Sequence, residues 1–495
     1  MQNLLTSFQI KDLDTYTIQH EPINSIDLME RAALAFVQIF TTKFPNKQIA
    51  VWVFCGQGNN GGDGLAIARL LAKSGYANIR VFLANYSLHF SDDNLQNLTR
   101  LEKEHAEIPL LKDLKELQLS ENDIVIDALL GSGLNKPLTG DYEKLAKVIN
   151  ASKVIVVAVD VPSGFKSEGE LEGVYKGINA DLVITFQLPK INFFFPESMK
   201  AIREFRVVPI GLNQEYIESL PSQWKLLTES FVKRTIKPRE RFSHKGTYGH
   251  ALIIAGDTET MGAALLSASA CLHSGAGLVS VCITESGLTA LNVTLPEAMY
   301  LNIEKLASSN LLKYQAIAIG PGLGVKETQQ KLLRQLLYQN NPLVLDADAL
   351  NILSQHKELQ LKIPVKSILT PHVKEFDRLF GKHDNWWDRV RTARDRARKL
   401  QVIIVLKNQY TFICLPTGDV CINQTGNPAM AQGGMGDVLT GIITGFLAQG
   451  YTSIEAAILG VYIHGKTGDF LAKEKAVVSA YELSKNVPVI LKKIQ

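Results

Sequence analysis

Residues 49 to 64 read Ile49-Ala50-Val51-Trp52-Val53-Phe54-Cys55-Gly56-Gln57-Gly58-Asn59-Asn60-Gly61-Gly62-Asp63-Gly64. The first seven are apolar without polar alternation, which predicts a strand covered on both faces, as in a parallel sheet. The next nine contain five glycines. Such a turn lets backbone approach a ligand closely, and the helix expected from about Leu65 offers its unpaired N–H groups to phosphate. The usual dinucleotide fingerprint is not reproduced, because paired asparagines stand inside it, and there is no Lys-Ser/Thr ending of a P-loop. Asn59, Asn60 and Asp63 instead imply specific polar contacts.

Working outward, apolar runs at 79–84, 123–129, 154–159 and 181–186 alternate with helical patterns, so residues 49 to about 211 are expected to form a three-layer α/β sandwich. Upstream, Leu28, Met29, Ala32, Ala33, Phe36 and Val37 recur at helical spacing over 27–40, with Ser25 as the expected N-cap. Two further loops end strands of this series: Asp127-Ala128-Leu129-Leu130-Gly131-Ser132-Gly133-Leu134-Asn135-Lys136-Pro137 and Asp160-Val161-Pro162-Ser163-Gly164. Ligands gather at strand ends of open parallel sheets. Asp127 and Asp160 can hold a cation with Asn60, one of them can be a general base, or each can simply cap its own turn.

Around residue 220 the texture turns polar and basic, with Pro221 and Pro238 among Lys233, Arg234, Lys237, Arg239 and Arg241, and a domain boundary is placed there, giving 1–220 and 221–495. A second α/β series follows, with strands expected at 250–255, 278–283, 316–319, 343–345, 367–369 and 402–406 and closing helices at 435–447 and 454–471. No internal repeat relates the two halves. Gly320-Pro321-Gly322-Leu323-Gly324, Leu345-Asp346-Ala347-Asp348-Ala349-Leu350-Asn351 and Leu369-Thr370-Pro371-His372 are strand-end loops, and His372 is read as a substrate contact. In Gln432-Gly433-Gly434-Met435-Gly436-Asp437, three glycines open a helix and form a candidate anion hole. Asp437 beside them is placed to orient or deprotonate a hydroxyl attacking a phosphoryl group, or else only to stabilise its helix.

Composition bounds these readings. The chain has 495 residues, 46% hydrophobic and 20% charged, which excludes disorder and low complexity and suits more than one domain. Lys+Arg 52 against Asp+Glu 49 gives +3, too little for a nucleic-acid or anionic-membrane footprint. Five scattered cysteines, without a C-x-x-C pair, predict buried reduced thiols rather than a disulfide framework or a zinc site. The amino terminus lacks a basic start and an apolar core, and no apolar run reaches spanning length, so a cytoplasmic protein is expected.

The string Gly58 to Gly64, the upstream Leu28-Met29-Glu30 and the loops at Asp127 and Asp160 resemble the NAD(P)H-hydrate epimerase family, the amino-terminal half of bacterial bifunctional repair enzymes. That resemblance implies a Rossmann-like domain interconverting the R and S forms of hydrated NAD(P)H. It implies K+ at Asn60, Asp127 and Ser163, and substrate contacts at Asn59, Asn60, Gly61, Gly62, Asp63, at Gly131, Ser132, Gly133, Leu134, Asn135, Lys136, Pro137 and at Asp160, the last taken as the catalytic base. Ala33 departs from the glycine common in that family. The Asp437 loop resembles that of ribokinase-like enzymes, and the second half as a whole is similar to ADP/ATP-dependent NAD(P)H-hydrate dehydratase. Implied there are substrate contacts at Ala263, Gly322 and His372, Asp437 as catalytic residue, and nucleotide contacts at Lys407, Asn408, Gln409, Tyr410, Thr411 and Gly436. Mg2+ beside ADP or ATP is implied as well. Val373-Lys374 and Asn408 depart from the usual Pro-Gly and Gly.

The combined expectation is a metabolite-repair enzyme that epimerises hydrated NADH and NADPH and dehydrates the S form at the expense of ADP. Its partners would be small molecules and further copies of the chain, not nucleic acid or membrane. The alternative is a ribokinase-class small-molecule kinase joined to a non-catalytic nucleotide-binding or scaffolding module.

Overall fold

The computed structural model of the protein describes all residues except Asn85, Ser87, Leu88, Leu134, Asn135, Lys136, Glu172 and Asn340. Its contacts divide into two compact units, Asn3–Pro221 and Ser222–Gln495, the latter together with Met1–Gln2.

In the first unit the strands Ala50–Cys55, Asn78–Leu83, Ile124–Ala128, Ile155–Val159 and Leu182–Phe186 fall within a residue or two of the expected runs. Short Leu110–Leu111 and Phe205–Val208 add the sheet edges. All pair in parallel, in the spatial order Leu110–Leu111, Asn78–Leu83, Ala50–Cys55, Ile124–Ala128, Ile155–Val159, Leu182–Phe186, Phe205–Val208. Alternate residues feed opposite cores. Val51, Val53 and Cys55 pack with Phe36, Phe40, Leu65 and Leu71 of the helices Ser25–Lys43 and Asn59–Lys73, while Trp52 and Phe54 pack with Leu145 and Ile149 of Gly140–Ala151. This is the expected three-layer sandwich with a Rossmann-like strand order.

One expectation about the entrance helix is corrected. The N-cap of Ser25–Lys43 is Asn24, not Ser25. Ser25 is already helical, and its hydroxyl donates to Asp93 Oδ2 at 2.6 Å instead of turning back to cap.

In the second unit seven parallel strands run in the order Met299–Asn302, Leu278–Ile283, His250–Ile254, Ala316–Ile319, Leu343–Leu345, Ile368–Leu369, Ile403–Leu406. An antiparallel pair, Thr411–Cys414 and Val420–Asn423, and the strand Trp224–Leu226 extend the sheet. Helices Met261–His273, Met435–Ala448, Ser453–Leu471 and Ala480–Ile494 pack together over one core. All five cysteines are buried and unpaired. Among the described residues, no helix is long and apolar enough to cross a membrane.

Candidate active sites

The first sheet reverses its winding between Ala50–Cys55 and Ile124–Ala128, and the crevice that such a reversal opens at the strand carboxyl ends is where ligands bind. The two strand ends meet there: Gly56 N donates to Ala128 O at 3.0 Å, and a Cβ on Gly56 would stand 1.9 Å from Leu129 O. Only glycine permits that approach. Helix Asn59–Lys73 then starts from Gly58 without a side-chain cap, leaving its first N–H groups for a ligand.

A cavity of about 430 Å³ lies at this point, walled in part by Asn59, Asn60, Asp63, Gly131, Ser132, Gly133 and Asp160. Gly61 and Gly62 lie behind the wall, packed on Asn94 and Met29, and Pro137 is not part of it. Leu134, Asn135 and Lys136 lie outside the described residues.

Asp127 and Ser163 are fully buried and join two strand ends: Ser163 donates to the Asp127 carboxylate through its N–H at 2.7 Å and its hydroxyl at 2.6 Å, and Leu129 N donates at 3.2 Å. Burial pushes the Asp127 carboxyl up to about 6, with the Ser163 and Leu129 donors pulling it back. Asn60 Nδ2 is buried without a hydrogen-bond partner among the described residues; a half-turn of that amide would put an acceptor oxygen there. A carboxylate, a hydroxyl and an amide oxygen make a hard, singly charged donor set, which fits a weakly hydrated monovalent cation better than a transition metal.

Asp160 has a left-handed backbone, φ 62°, and its Oδ1 accepts from Thr185 Oγ1 at 2.9 Å, Phe186 N at 3.1 Å and Lys190 Nζ at 2.7 Å. The Lys190 side chain is 2% exposed. Two groups of this wall were not anticipated from sequence. Lys190 follows Leu188-Pro189, a segment without a motif, and Asp14 belongs to helix Ser7–His20, whose apolar residues show no clean periodicity. Asp14 and Asp63 nonetheless face the same cavity as Asp160. Burial, then the Asp160 charge, pushes the Asp14 carboxyl up to about 7, with Lys190 opposing; Asp63 is driven well above the carboxylate range by burial and by Asp160, Asp14 and Asp93.

The second sheet reverses between His250–Ile254 and Ala316–Ile319. Gly322, at φ 57°, lies against Ala263, whose Cβ would be 2.9 Å from a Cβ added there, and Thr260 Oγ1 donates to Gly322 O at 2.6 Å. Asp348 accepts from Gly324 N at 2.8 Å, tying this loop to the next strand end.

A second cavity, about 600 Å³, is walled by residues that include Asp346, His372, Lys407, Asn408, Gln409, Thr411, Gly436 and Asp437. Tyr410, Ala263 and Gly322 are not in its wall. Lys407 Nζ donates to Asp346 Oδ1 at 3.0 Å and Thr440 Oγ1 to Oδ2 at 2.9 Å, so the buried Asp346 is fully partnered. Asp437, one residue past Gly436 on the uncapped helix Met435–Ala448, has no such donor among the described residues. Burial, then the Asp346 charge, pushes its carboxyl up to about 7, with Lys407 pulling down and Asp348 and Glu375 pushing up.

His372 caps helix Val373–Phe380: its Nδ1 accepts from Lys374 N at 3.1 Å and Glu375 N at 3.4 Å, and Glu375 Oε2 accepts from His372 N at 2.9 Å. Val373-Lys374 therefore begins a well-capped helix without the Pro-Gly pair. With Nδ1 accepting, the proton of the neutral ring lies on Nε2. Glu375 and His464 also line this cavity and carried no sequence signal of their own; burial pushes the His464 imidazole down to about 4. Among the described residues, no group of three or more His, Cys, Asp or Glu side chains is placed to hold a metal. Mg2+ would fit here only as an ion carried by nucleotide phosphates, since it keeps most of its waters and needs few protein carboxylates.

Fold and sites together define a class, a Rossmann-like α/β domain in one chain with a ribokinase-like α/β domain, each with a carboxyl-bearing cavity at its sheet reversal or glycine-opened helix. A family profile described as NAD(P)H-hydrate dehydratase matches residues 251–489, and one described as YjeF-related protein N-terminus matches residues 25–192. The bifunctional NAD(P)H-hydrate repair enzyme Nnr of Moorella thermoacetica is 34% identical over 99% of this chain and 97% of its own length, and that of Coxiella burnetii is 34% identical over 96% of each. The ADP/ATP-dependent NAD(P)H-hydrate dehydratase of Bacillus subtilis, crystallised with ATP and Mg2+, covers 55% of this chain and 99% of its own, at 37% identity and TM-score 0.50. A ribokinase-like superfamily protein of Enterococcus faecalis covers 56% and 98%, at 34% identity and TM-score 0.52. The chain belongs to the family of bifunctional NAD(P)H-hydrate repair enzymes.

Proposed function

We infer that the chain repairs hydrated NADH and NADPH by two reactions, with residues 1–220 interconverting the R and S epimers and residues 221–495 dehydrating the S form with ADP as phosphoryl donor. The observation that carries this reading is that near-full-length likeness to repair enzymes coincides with a carboxyl in each cavity that no donor among the described residues bonds, Asp14 in one and Asp437 in the other.

In the dehydratase, the hydroxyl on C6 of the hydrated ring is a poor leaving group, and phosphorylation makes it a good one. Asp437 takes the proton as that hydroxyl attacks the terminal phosphoryl of ADP, and the N–H groups at the start of Met435–Ala448 hold the developing negative charge. Lys407, kept in place by Asp346, faces the same charge. The ring nitrogen then expels phosphate and the double bond returns, giving NAD(P)H, AMP and phosphate. Ala263, Gly322 and His372 are assigned to hydrated substrate, and Lys407, Asn408, Gln409, Tyr410, Thr411 and Gly436 to nucleotide. Mg2+ bound with the nucleotide would neutralise phosphate charge.

In the epimerase, Asn60, Asp127 and Ser163 would hold K+, which supplies positive charge beside the phosphates of the substrate. Asn59, Asp63 and the Gly131 loop border the cavity that takes the ring. Asp160, with Lys190, Thr185 and Phe186 all donating to one oxygen, faces the ring as the latter becomes cationic.

The test is recovery of reduced-nicotinamide absorbance from a mixed-epimer preparation of hydrated NADH with Mg2+, K+ and ADP. Complete recovery, faster than in a protein-free control, is expected. Recovery that stops at the S fraction removes the epimerase, and a stable phosphorylated product without recovery replaces the dehydratase by a kinase.

A further inference from the structure

Helix Ser7–His20 matches neither glycine-rich loop of the first unit, yet it supplies one wall of the cavity there through Ser7, Ile10, Lys11, Leu13 and Asp14. It is fixed along its length. Thr6 and Gln9 form a reciprocal capping box at its start, Ser7 donates to Glu168 through its N–H at 3.1 Å and its hydroxyl at 2.8 Å, and Leu13 is fully buried. Thr17 accepts from Asn213 N at 3.2 Å, and Tyr16 stacks on Tyr216 with ring centroids 3.9 Å apart. A helix held this way aims Asp14 rather than letting it drift to solvent.

Three carboxyls, Asp14, Asp63 and Asp160, thus face one cavity, and their surroundings separate them. Asp160 is ion-paired with Lys190 and accepts three hydrogen bonds on one oxygen. Burial, and then the Asp160, Asp14 and Asp93 charges, push the Asp63 carboxyl well above its usual range. Asp14 lies between these cases: the Asp160 charge opposes its ionisation and the Lys190 ammonium favours it, while no donor among the described residues bonds its oxygens. Lys11, one turn earlier on the same helix, also faces the cavity. A carboxyl that can both give and regain a proton, beside one committed to an ion pair, is the division that acid–base chemistry on one substrate requires.

We propose that Asp14 is a catalytic residue of the epimerisation, the group that protonates the C6 hydroxyl and later takes a proton back from water. This rests on the epimerase reading of the first unit. The Asp14 proton passes to the hydroxyl oxygen, the C6–O bond breaks with its electron pair leaving on the water so formed, and the lone pair of N1 closes an N1=C6 double bond. The flat cationic ring turns about its bond to ribose. Water then adds to the other face of C6, the double-bond pair returns to N1, and the surplus proton returns to the Asp14 carboxylate. Water is the only co-reactant, and nothing is oxidised.

The experiment uses the full chain with mixed epimers, ADP, Mg2+ and K+, where the S form disappears in a first phase and the R form only as fast as it is epimerised. Asp14→Asn is expected to slow the R phase by at least a hundredfold with the S phase unchanged, and Asp14→Glu to restore part of it. The wild-type R phase should fall as pH rises through about 7, and any residual R phase of Asp14→Asn should lack that fall. An R phase within threefold of wild type in Asp14→Asn, or an unchanged alkaline fall in it, overturns the proposal. So does transfer of both effects to Asp63→Asn. A wild-type chain with an S phase but no R phase overturns the epimerase reading itself.

Discussion

At the scale of single residues, the two cavities use one physical device with opposite sign. Burial and a neighbouring carboxylate raise Asp14 and Asp437 alike to about 7. Asp14 is assigned as an acid and acts protonated. Asp437 is assigned as a base and acts ionised, so kcat/KM for the S epimer should rise as pH increases through about 7 and level off above it. Asp437→Asn should lower kcat for dehydration by about 10²- to 10⁴-fold and remove that rise, with ADP binding, read by calorimetry, changed far less. Asp437 was legible in sequence because glycines flank it. Asp14 was not, since nothing near it in sequence announces a site, and its meaning comes from Asp160 and Lys190, which are distant in the chain.

At the scale of elements, the glycine turns were legible because their chemistry is local. Gly434 starts Met435–Ala448 at φ 87°, and a Cβ there would stand 2.6 Å from Leu266 Cδ1. Gly434→Ala should cost roughly 1–2 kcal/mol of stability from backbone strain alone, with more from the clash, and should raise KM for ADP as the helix start shifts. Urea unfolding and steady-state kinetics check the two effects. Other elements were missed for physical reasons. Helix Ser7–His20 leaves Phe8 74% exposed, which breaks its apolar pattern, and Ala480–Ile494 contains Pro488, which reads as a breaker although Leu483, Val487 and Ile490 around it are buried. Thr411–Cys414 and Val420–Asn423 pair antiparallel with each other, unlike the parallel strands of the series before them.

At the scale of the whole molecule, each unit buries its own apolar clusters: Val53, Leu65 and Phe36 belong to one, Ile253, Val438 and Ile442 to the other. Thermal unfolding is therefore expected in two transitions. ADP with Mg2+ at a hundred times its Kd should stabilise only one of them, by about 2.7 kcal/mol. Scanning calorimetry of the full chain with and without nucleotide checks this, and a single transition shifted as a whole contradicts it. Since the dehydration consumes one epimer, an epimerase in the same chain makes the other usable, a physical reason for two unlike folds to share a polypeptide.

The sequence by itself determined the two α/β series, the glycine turns at Gly58 and Gly434 and the strand-end aspartates at 127, 160 and 346, because apolar runs and glycine patterns encode local backbone choices. It also carried the family resemblance, because those same turns bear the family's motifs. Tertiary structure alone decided which carboxyls share a cavity and which find a cationic partner there. Lys190 pairs with Asp160 and Lys407 with Asp346, whereas Asp14 and Asp437 have no hydrogen-bond donor among the described residues. The physical reason is that a carboxyl's proton affinity is set by burial and by charges a few ångströms away in space, and those neighbours come from parts of the chain that only folding brings together.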